Sequence, residues 1–329
     1  MLERRPYYTT EWGAAYHGNA LELLKEIDDE QIDLVFTSPP FALTRQKNYK
    51  HPPDFVNASK YIEWFTPFAQ EIHRVLKKNG SLVLNIGSAW NPNMPTKSLY
   101  HFELLLDLCK NQKFSLAQDF YWYNTAKFPS PAEWTNIRRV RVKDAVDPIW
   151  WLSKDPQGKT TARNTRVLVK YSESMKTLLK TKKYDAGHRP SGYDVSPTSF
   201  LKKHRGAISP NLLQFANTAS NGPYMSNCKK YHIEVNPARF PPALADFFIR
   251  FLTSKEDQVI LDPFSGSNTT GYVAQKLNRR WVAFEISEEY IKGSQFRFYT
   301  PEELGFAVPP EDIETKKTNA NAAIDDFIA

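Results

Sequence analysis

An α/β fold built on a mostly parallel sheet is what this chain of 329 residues predicts. Short apolar runs at 32–36, 81–87, 259–261 and 281–286 have the composition of strands buried on both faces. Stretches with one apolar helical face alternate with them, the pattern of a sheet covered by helices on each side. Both features stop near residue 154 and return at Pro237, so a segment of different character interrupts the sheet-forming sequence.

In chain order, residues 14–18 (Ala-Ala-Tyr-His-Gly) form a weak strand, and Asn19 stands at the N-cap of a helix over 20–27. The run Ile-Asp-Leu-Val-Phe at 32–36 is a buried strand that ends in Thr37-Ser38-Pro39-Pro40-Phe41. Two consecutive prolines fix φ and remove two backbone donors, so neither a strand nor a helix continues through them. A rigid loop with bare carbonyls, one hydroxyl and one ring is left at the strand's carboxyl end, where open α/β sheets bind ligands. A flat ring bearing an amino group suits it, stacked on Phe41 with its N–H groups bonded to Ser38 Oγ and a carbonyl of the proline region. A Pro-Pro turn with a core Phe explains the same five residues equally well.

Residues 42–58, with Arg45, Lys47, Lys50, His51, Pro52 and Pro53, are too polar for a core and form a surface loop. From 61 to 78, Ile62, Phe65, Ala69, Ile72 and Leu76 lie on one helical face; Lys77 and Lys78 suit its carboxyl end and Gly80 closes it. A strand at 81–87, a helix at 101–111 and strands at 114–123 and 146–152 come next. The last two strands are joined by Asn124-Thr125-Ala126-Lys127-Phe128-Pro129-Ser130-Pro131 and then by Arg138, Arg139, Arg141 and Lys143. Tyr121, Trp122, Tyr123 and Trp134 lie close by in sequence, and cations interleaved with aromatics suit phosphate contact plus base stacking. A solvated charged strand beside an aromatic cluster is the plainer alternative.

Charge is concentrated in one place. The chain carries +7, yet residues 154–205 alone hold thirteen Lys and Arg against four Asp and Glu, so the remainder is slightly acidic. A basic face of this kind favours nucleic acid, with His188, Arg189, His204 and Arg205 as candidates for base or phosphate contact. Two distant cysteines, Cys109 and Cys228, argue against a disulfide scaffold or a zinc site. With no apolar run of membrane-spanning length and no signal-peptide core at the N-terminus, a cytoplasmic protein is expected. The polar tail from Pro309 is expected to be disordered, although Ile324, Phe327 and Ile328 offer it a way to dock.

After the helix marked by Phe240, Leu244, Phe247, Phe248 and Phe251 comes strand 259–261, then Asp262-Pro263-Phe264-Ser265-Gly266-Ser267-Asn268-Thr269-Thr270-Gly271. A helix through Leu277 and strand 281–286 complete the unit. Glu285 lies nineteen residues after Gly266, near the spacing at which a carboxylate takes ribose hydroxyls. A dinucleotide site calls for GxGxxG, but Asn268 replaces the middle glycine, and no P-loop lysine is present. A ligand with a ribose and a carboxylate but no phosphate fits better; S-adenosylmethionine is one.

Together, the loop at 37–41 and the loop at 262–270 resemble the two signature motifs of DNA amino-methyltransferases. Their order, with the catalytic loop first and a variable region between, is similar to the permuted β group. Asn236-Pro237-Ala238-Arg239-Phe240-Pro241 and Arg279-Arg280-Trp281-Val282-Ala283-Phe284-Glu285-Ile286 resemble the flanking pieces. Serine at the head of the loop is similar to the N4-cytosine subgroup and its PvuII-like modification enzymes. Two departures stand out: Asn268 where many relatives have Gly, and Asn19 where relatives often have an Asp facing the cofactor's adenine.

The resemblance implies a Rossmann-like S-adenosylmethionine-dependent methyltransferase sheet in permuted order and methylation of a flipped cytosine at N4 in double-stranded DNA. Ser38, Pro39, Pro40 and Phe41 would form the catalytic loop. Asn19, Asp262, Pro263, Phe264, Gly266, Ser267, Asn268, Thr269, Thr270 and Glu285 would hold the cofactor, with no metal. Residues 1–153 and 233–308 would form the catalytic and cofactor halves, and 154–232 the target-recognition region. Pairing with a restriction endonuclease is consistent with this, and monomer or dimer is left open. N6-adenine methylation is the alternative within the class; a DNA-binding protein with a vestigial fold is the alternative outside it.

Overall fold

The alternating pattern folds as a layered sheet in the computed structural model, which describes residues 2–42, 57–184, 186–196, 198, 200–218 and 222–307. Residues 43–56 of the polar loop and the tail from 309 lie outside the described residues. The first half supplies β1 (Tyr8–Thr9), β2 (Gly13–His17), α1 (Ala20–Lys25), β3 (Ile32–Thr37), α2 (Tyr61–Val75), β4 (Leu76–Asn85), α3 (Tyr100–Lys110), β5 (Ser115–Tyr123) and β6 (Val146–Ser153). The rest supplies α4 (Glu173–Thr181), β7 (Gly187–His188), β8 (Asp194–Val195), β9 (Leu212–Gln214), α5 (Pro223–Lys230), α6 (Pro242–Leu252), β10 (Val259–Asp262), α7 (Thr269–Lys276), β11 (Arg280–Glu285) and α8 (Glu288–Ser294).

Among the described residues nine strands form one sheet in the order β1-β2-β11-β10-β3-β4-β6-β5-β9. The run from β2 through β4 is parallel. β5 and β6 are consecutive with no covering helix between them, and they pair antiparallel, as strands without a crossover do. Alternation along β3 divides its side chains between two cores. Leu34 and Phe36 pack with Val83, Phe248 and Ile260 beneath α6, whereas Val35 packs with Phe65, Ile72, Leu82 and Leu261 beneath α2. Each large apolar side chain so buried contributes about 1.5–3 kcal/mol.

One helix boundary differs from expectation. The helix expected to run to Lys78 ends at Val75, and Leu76 adopts extended backbone and pairs with Ile32 as the first residue of β4. Lys77 therefore serves a cross-strand ion pair, Nζ to Asp33 Oδ2 at 2.7 Å, not a helix terminus. Gly80 lies in the irregular stretch beyond it; a Cβ there would stand 2.9 Å from the Lys77 carbonyl oxygen.

The segment after β6 is tied to the sheet at both ends. Arg166 donates to the carbonyls of Thr161, Phe251 and Thr253, and β9 adds to the sheet edge alongside β5. Between these anchors, α4 and the β7–β8 ribbon bury no residue. Tyr224 and Cys228 of α5 pack with Ile233 and Phe296. Among the described residues no helix is long and apolar enough to cross a membrane.

Candidate active site

Parallel neighbours deliver their carboxyl ends to the same edge, so β3 and β10 bring the loops at 37–41 and 262–271 together. Asp262 clasps them. Its Oδ1 accepts from Thr37 Oγ1 at 2.7 Å and from the Phe264 N–H at 3.2 Å, and its Oδ2 accepts from Thr270 Oγ1 at 2.6 Å. Burial pushes this carboxyl up to about 6 despite the three donors.

A carboxyl raised in the folded state binds its proton more tightly there than in the unfolded chain. Its contribution to stability is thus greatest in acid and is lost as pH rises from about 4 to about 6. That limb amounts to about 3 kcal/mol. Asp262→Asn is expected to flatten it, which urea unfolding of both proteins at pH 4, 5, 6 and 7 would check; parallel curves would refute the assignment.

The Pro-Pro loop is held from behind by Tyr61, which packs on Tyr100. Tyr61 Oη donates to the Pro40 carbonyl at 2.7 Å. Its ring lies 4.8 Å from that of Tyr100, whose hydroxyl donates to the Gly87 carbonyl. Burial, then the neighbouring Tyr100, raises the Tyr61 phenol well above its ordinary range. Half-buried Phe41 lies against Gly87, where a Cβ would meet its ring at 2.3 Å. Ser38 Oγ and the Pro39 carbonyl have no hydrogen-bond partner among the described residues, so the loop presents two adjacent acceptors on a fixed frame. Each tyrosine is the first residue of its helix, and nothing in the sequence says which carbonyl its hydroxyl will meet.

On the other loop, Glu285 accepts from the Gly266 N–H through Oε2 at 2.6 Å and from the Ser287 N–H through Oε1 at 2.8 Å. Gly266 has φ +53°, and a Cβ there would lie 2.0 Å from Asn236 Nδ2. Asn268 is left-handed too, at φ 52° and ψ 46°, a conformation that asparagine tolerates better than most side chains. Its Oδ1 accepts from the Gly271 N–H at 3.0 Å, capping α7, and its Nδ2 donates to Tyr8 Oη at 2.9 Å. Buried Ser267 and Thr269 accept from Arg297 Nη2 at 2.9 and 3.0 Å. Pro263 is buried, and half-buried Phe264 packs on Phe68 with ring centroids 5.2 Å apart.

Sequence reasoning missed Tyr8 and Arg297. Arg297 lies outside the motif, between the rings of Tyr224 and Tyr272, and burial lowers its pKa from the ordinary guanidinium value. Exposed Asn19 caps α1, its Oδ1 accepting from the Leu21 N–H at 2.9 Å. That oxygen keeps a second lone pair for a ligand.

The basic candidates divide into engaged and exposed groups. Arg141 stacks 4.1 Å over Trp90 and donates to the Pro95 carbonyl, so its charge is used within the protein. Arg138 pairs with Glu133 at 2.7 Å and lies over Trp134, while Arg139 and Lys143 are exposed. His188 bonds Asp194 within the small ribbon, and Arg189 lies over Tyr184. His204 and Arg205 are exposed, with the His204 N–H donating to Tyr171 Oη. Among the described residues no group of three or more His, Cys, Asp or Glu is placed to hold a metal ion.

Comparison with known proteins agrees with this geometry. The family model described as DNA methylase matches residues 32–296. The chain is 46% identical to type II methyltransferase M.PvuII of Proteus hauseri over 297 residues, 90% of this chain and 86% of that protein. It is 26% identical to DNA adenine methyltransferase YhdJ of Escherichia coli (strain K12) over 294 residues, 88% of this chain and 85% of that protein. Among solved structures, PvuII DNA methyltransferase (cytosine-N4-specific) superposes with a TM-score of 0.73 at 40% identity, covering 91% of each chain.

Proposed function

The chain belongs to the N6/N4 DNA methylase family, and on that premise we propose that it transfers the methyl group of S-adenosylmethionine to the exocyclic N4 amine of a cytosine flipped from double-stranded DNA. The observation that carries the acceptor side is the pair Ser38 Oγ and Pro39 O, both unengaged among the described residues, on a loop that Tyr61 holds through Pro40.

The cofactor side fits as well. Glu285 is oriented by the Gly266 and Ser287 N–H groups at the carboxyl end of β11, where it would take the ribose hydroxyls. The missing Cβ at Gly266 makes room for Asn236 Nδ2 and permits the left-handed turn that brings its N–H to Glu285. Residues 262–270 would hold the methionine end and Asn19 the adenine. When bound, S-adenosylmethionine supplies an electrophilic methyl on a sulfonium.

The chain's own residues do the rest. Phe41 stacks the base. Ser38 Oγ and Pro39 O accept the two N–H bonds of the amine, which draws its lone pair out of the ring and steadies the charge that develops on nitrogen. The nitrogen forms its bond to the methyl as the sulfur–methyl bond breaks, and the surplus proton leaves nitrogen through the Ser38 hydrogen bond to water. Most of the acceleration comes from positioning.

Residues 154–232 would read the DNA sequence, with exposed Arg139 and Lys143 on the phosphates. Arg141 would contribute by holding that loop on Trp90. Work beside a restriction endonuclease in the cytoplasm completes the reading, supported by the type II name of the relative at 46% identity.

Radiolabelled methyl transfer into DNA followed by nucleoside analysis tests this directly. Label in N4-methylcytosine is expected. Label confined to N6-methyladenine, the outcome the similarity to YhdJ would favour, refutes the cytosine assignment and leaves the family intact.

A further inference from the structure

Phe128 is 84% exposed, the most exposed aromatic side chain among the described residues. It lies in the connection between β5 and β6, whose base is closely tied. The Asn124 N–H donates to the Ala145 carbonyl, the Lys127 N–H to the Asn124 carbonyl, and Lys127 Nζ to both oxygens of Asp147 at 2.6 and 2.8 Å. Pro129 and Pro131 stiffen the backbone on its carboxyl side. The ring is therefore presented on a rigid support.

Register places that support. Thr37 pairs with Leu84, Asn85 pairs with Ile149, and Tyr123 pairs with Val146, so the connection leaves the sheet at the same edge as the Pro-Pro loop. β6 lies two strands from β3, about 10 Å away. Exposed cations of the same connection, Arg139 and Lys143, suit the phosphates of a duplex seated there.

We infer that Phe128 is a wedge that enters the base stack and fills the gap left by the flipped nucleotide. This rests on the methyltransferase reading above. Taking a base out of the stack costs its stacking and pairing, and an apolar side chain inserted between base steps offsets part of that cost. A flat ring does this better than the equally exposed Val142 of the same connection, because it can stack on the neighbouring bases.

Single-turnover methylation by wild type, Phe128→Ala and Val142→Ala tests the inference on two duplexes that carry the chain's own site, as mapped by sequencing of modified DNA. In one the target cytosine is paired; in the other it is mispaired, so that little remains to be opened. Phe128→Ala is expected to be slower by about tenfold to a hundredfold on the paired duplex and within about threefold of wild type on the mispaired one. Val142→Ala is expected to match wild type on both. Equal losses of Phe128→Ala on the two duplexes, no loss on either, or the mispair rescue appearing with Val142→Ala would each overturn it. Wild type inactive on both duplexes would overturn the underlying reading and this inference with it.

Discussion

Ser38→Ala is expected to lower turnover by about 100-fold or more while the dissociation constant for S-adenosylmethionine stays within about twofold. Loss of one preorganised hydrogen-bonding group at a developing charge costs on the order of 10²–10³ in rate. Nothing else should change much, because Ser38 Oγ makes no hydrogen bond to the described protein and the loop is anchored elsewhere, through Tyr61 and Pro40 and through Thr37 and Asp262. Turnover under saturating DNA and cofactor, together with calorimetric titration of the cofactor, separates the two quantities. Comparable losses in both would mean that Ser38 shapes the loop and does not act on the amine.

Glu285→Ala is expected to behave in the opposite way, weakening S-adenosylmethionine by about 100-fold or more. Hydrogen bonds to a charged group are worth about 1.5–3 kcal/mol each, and two ribose hydroxyls would be lost. The substitution also strips the Gly266 and Ser287 N–H groups of their acceptor, so some stability goes with the affinity. Glu285→Gln separates these effects, since the amide oxygen still accepts from one backbone N–H while the charge is gone. Calorimetry on both variants is the check. An unchanged dissociation constant in a folded variant would remove Glu285 from the site.

The two variants are informative as a pair because Asp262 joins their loops. Through Thr37 it touches the end of the strand that leads into Ser38, and through Thr270 it touches the helix start behind Gly266. The pH dependence expected of Asp262 therefore reports on the junction itself, independently of ligand.

Much of the fold was legible in the residues because strand and helix are local patterns. The apolar runs of β3, β4, β10 and β11, the spacing of Phe240 to Phe251 and the turn chemistry of Pro39-Pro40 and Gly266 each depend on a few neighbouring side chains. The end of α2 was not legible. Lys77 looks like a helix terminus until Asp33 is brought beside it, and only pairing of β3 with β4 does that. β5 and β6 show the same limit, because pairing direction is set by the route of the chain and not by composition.

For the site the division is similar. Sequence alone determined that a Ser-Pro-Pro-Phe loop and a glycine-turn loop with a downstream Glu occur in one chain, at the ends of strands, around a basic segment. Backbone chemistry required this: proline ends a strand, and a left-handed turn selects Gly266 and Asn268. Only the tertiary structure decided what holds those loops. Tyr61, Tyr100, Arg297 and the double role of Asp262 are contacts between residues 8 to 225 positions apart in the chain. It also decided that Arg141 spends its charge on Trp90 while Phe128 stands in solvent. Hydrogen bonds and ring contacts act over a few ångströms, so their partners become defined once the sheet has set which strand ends are neighbours.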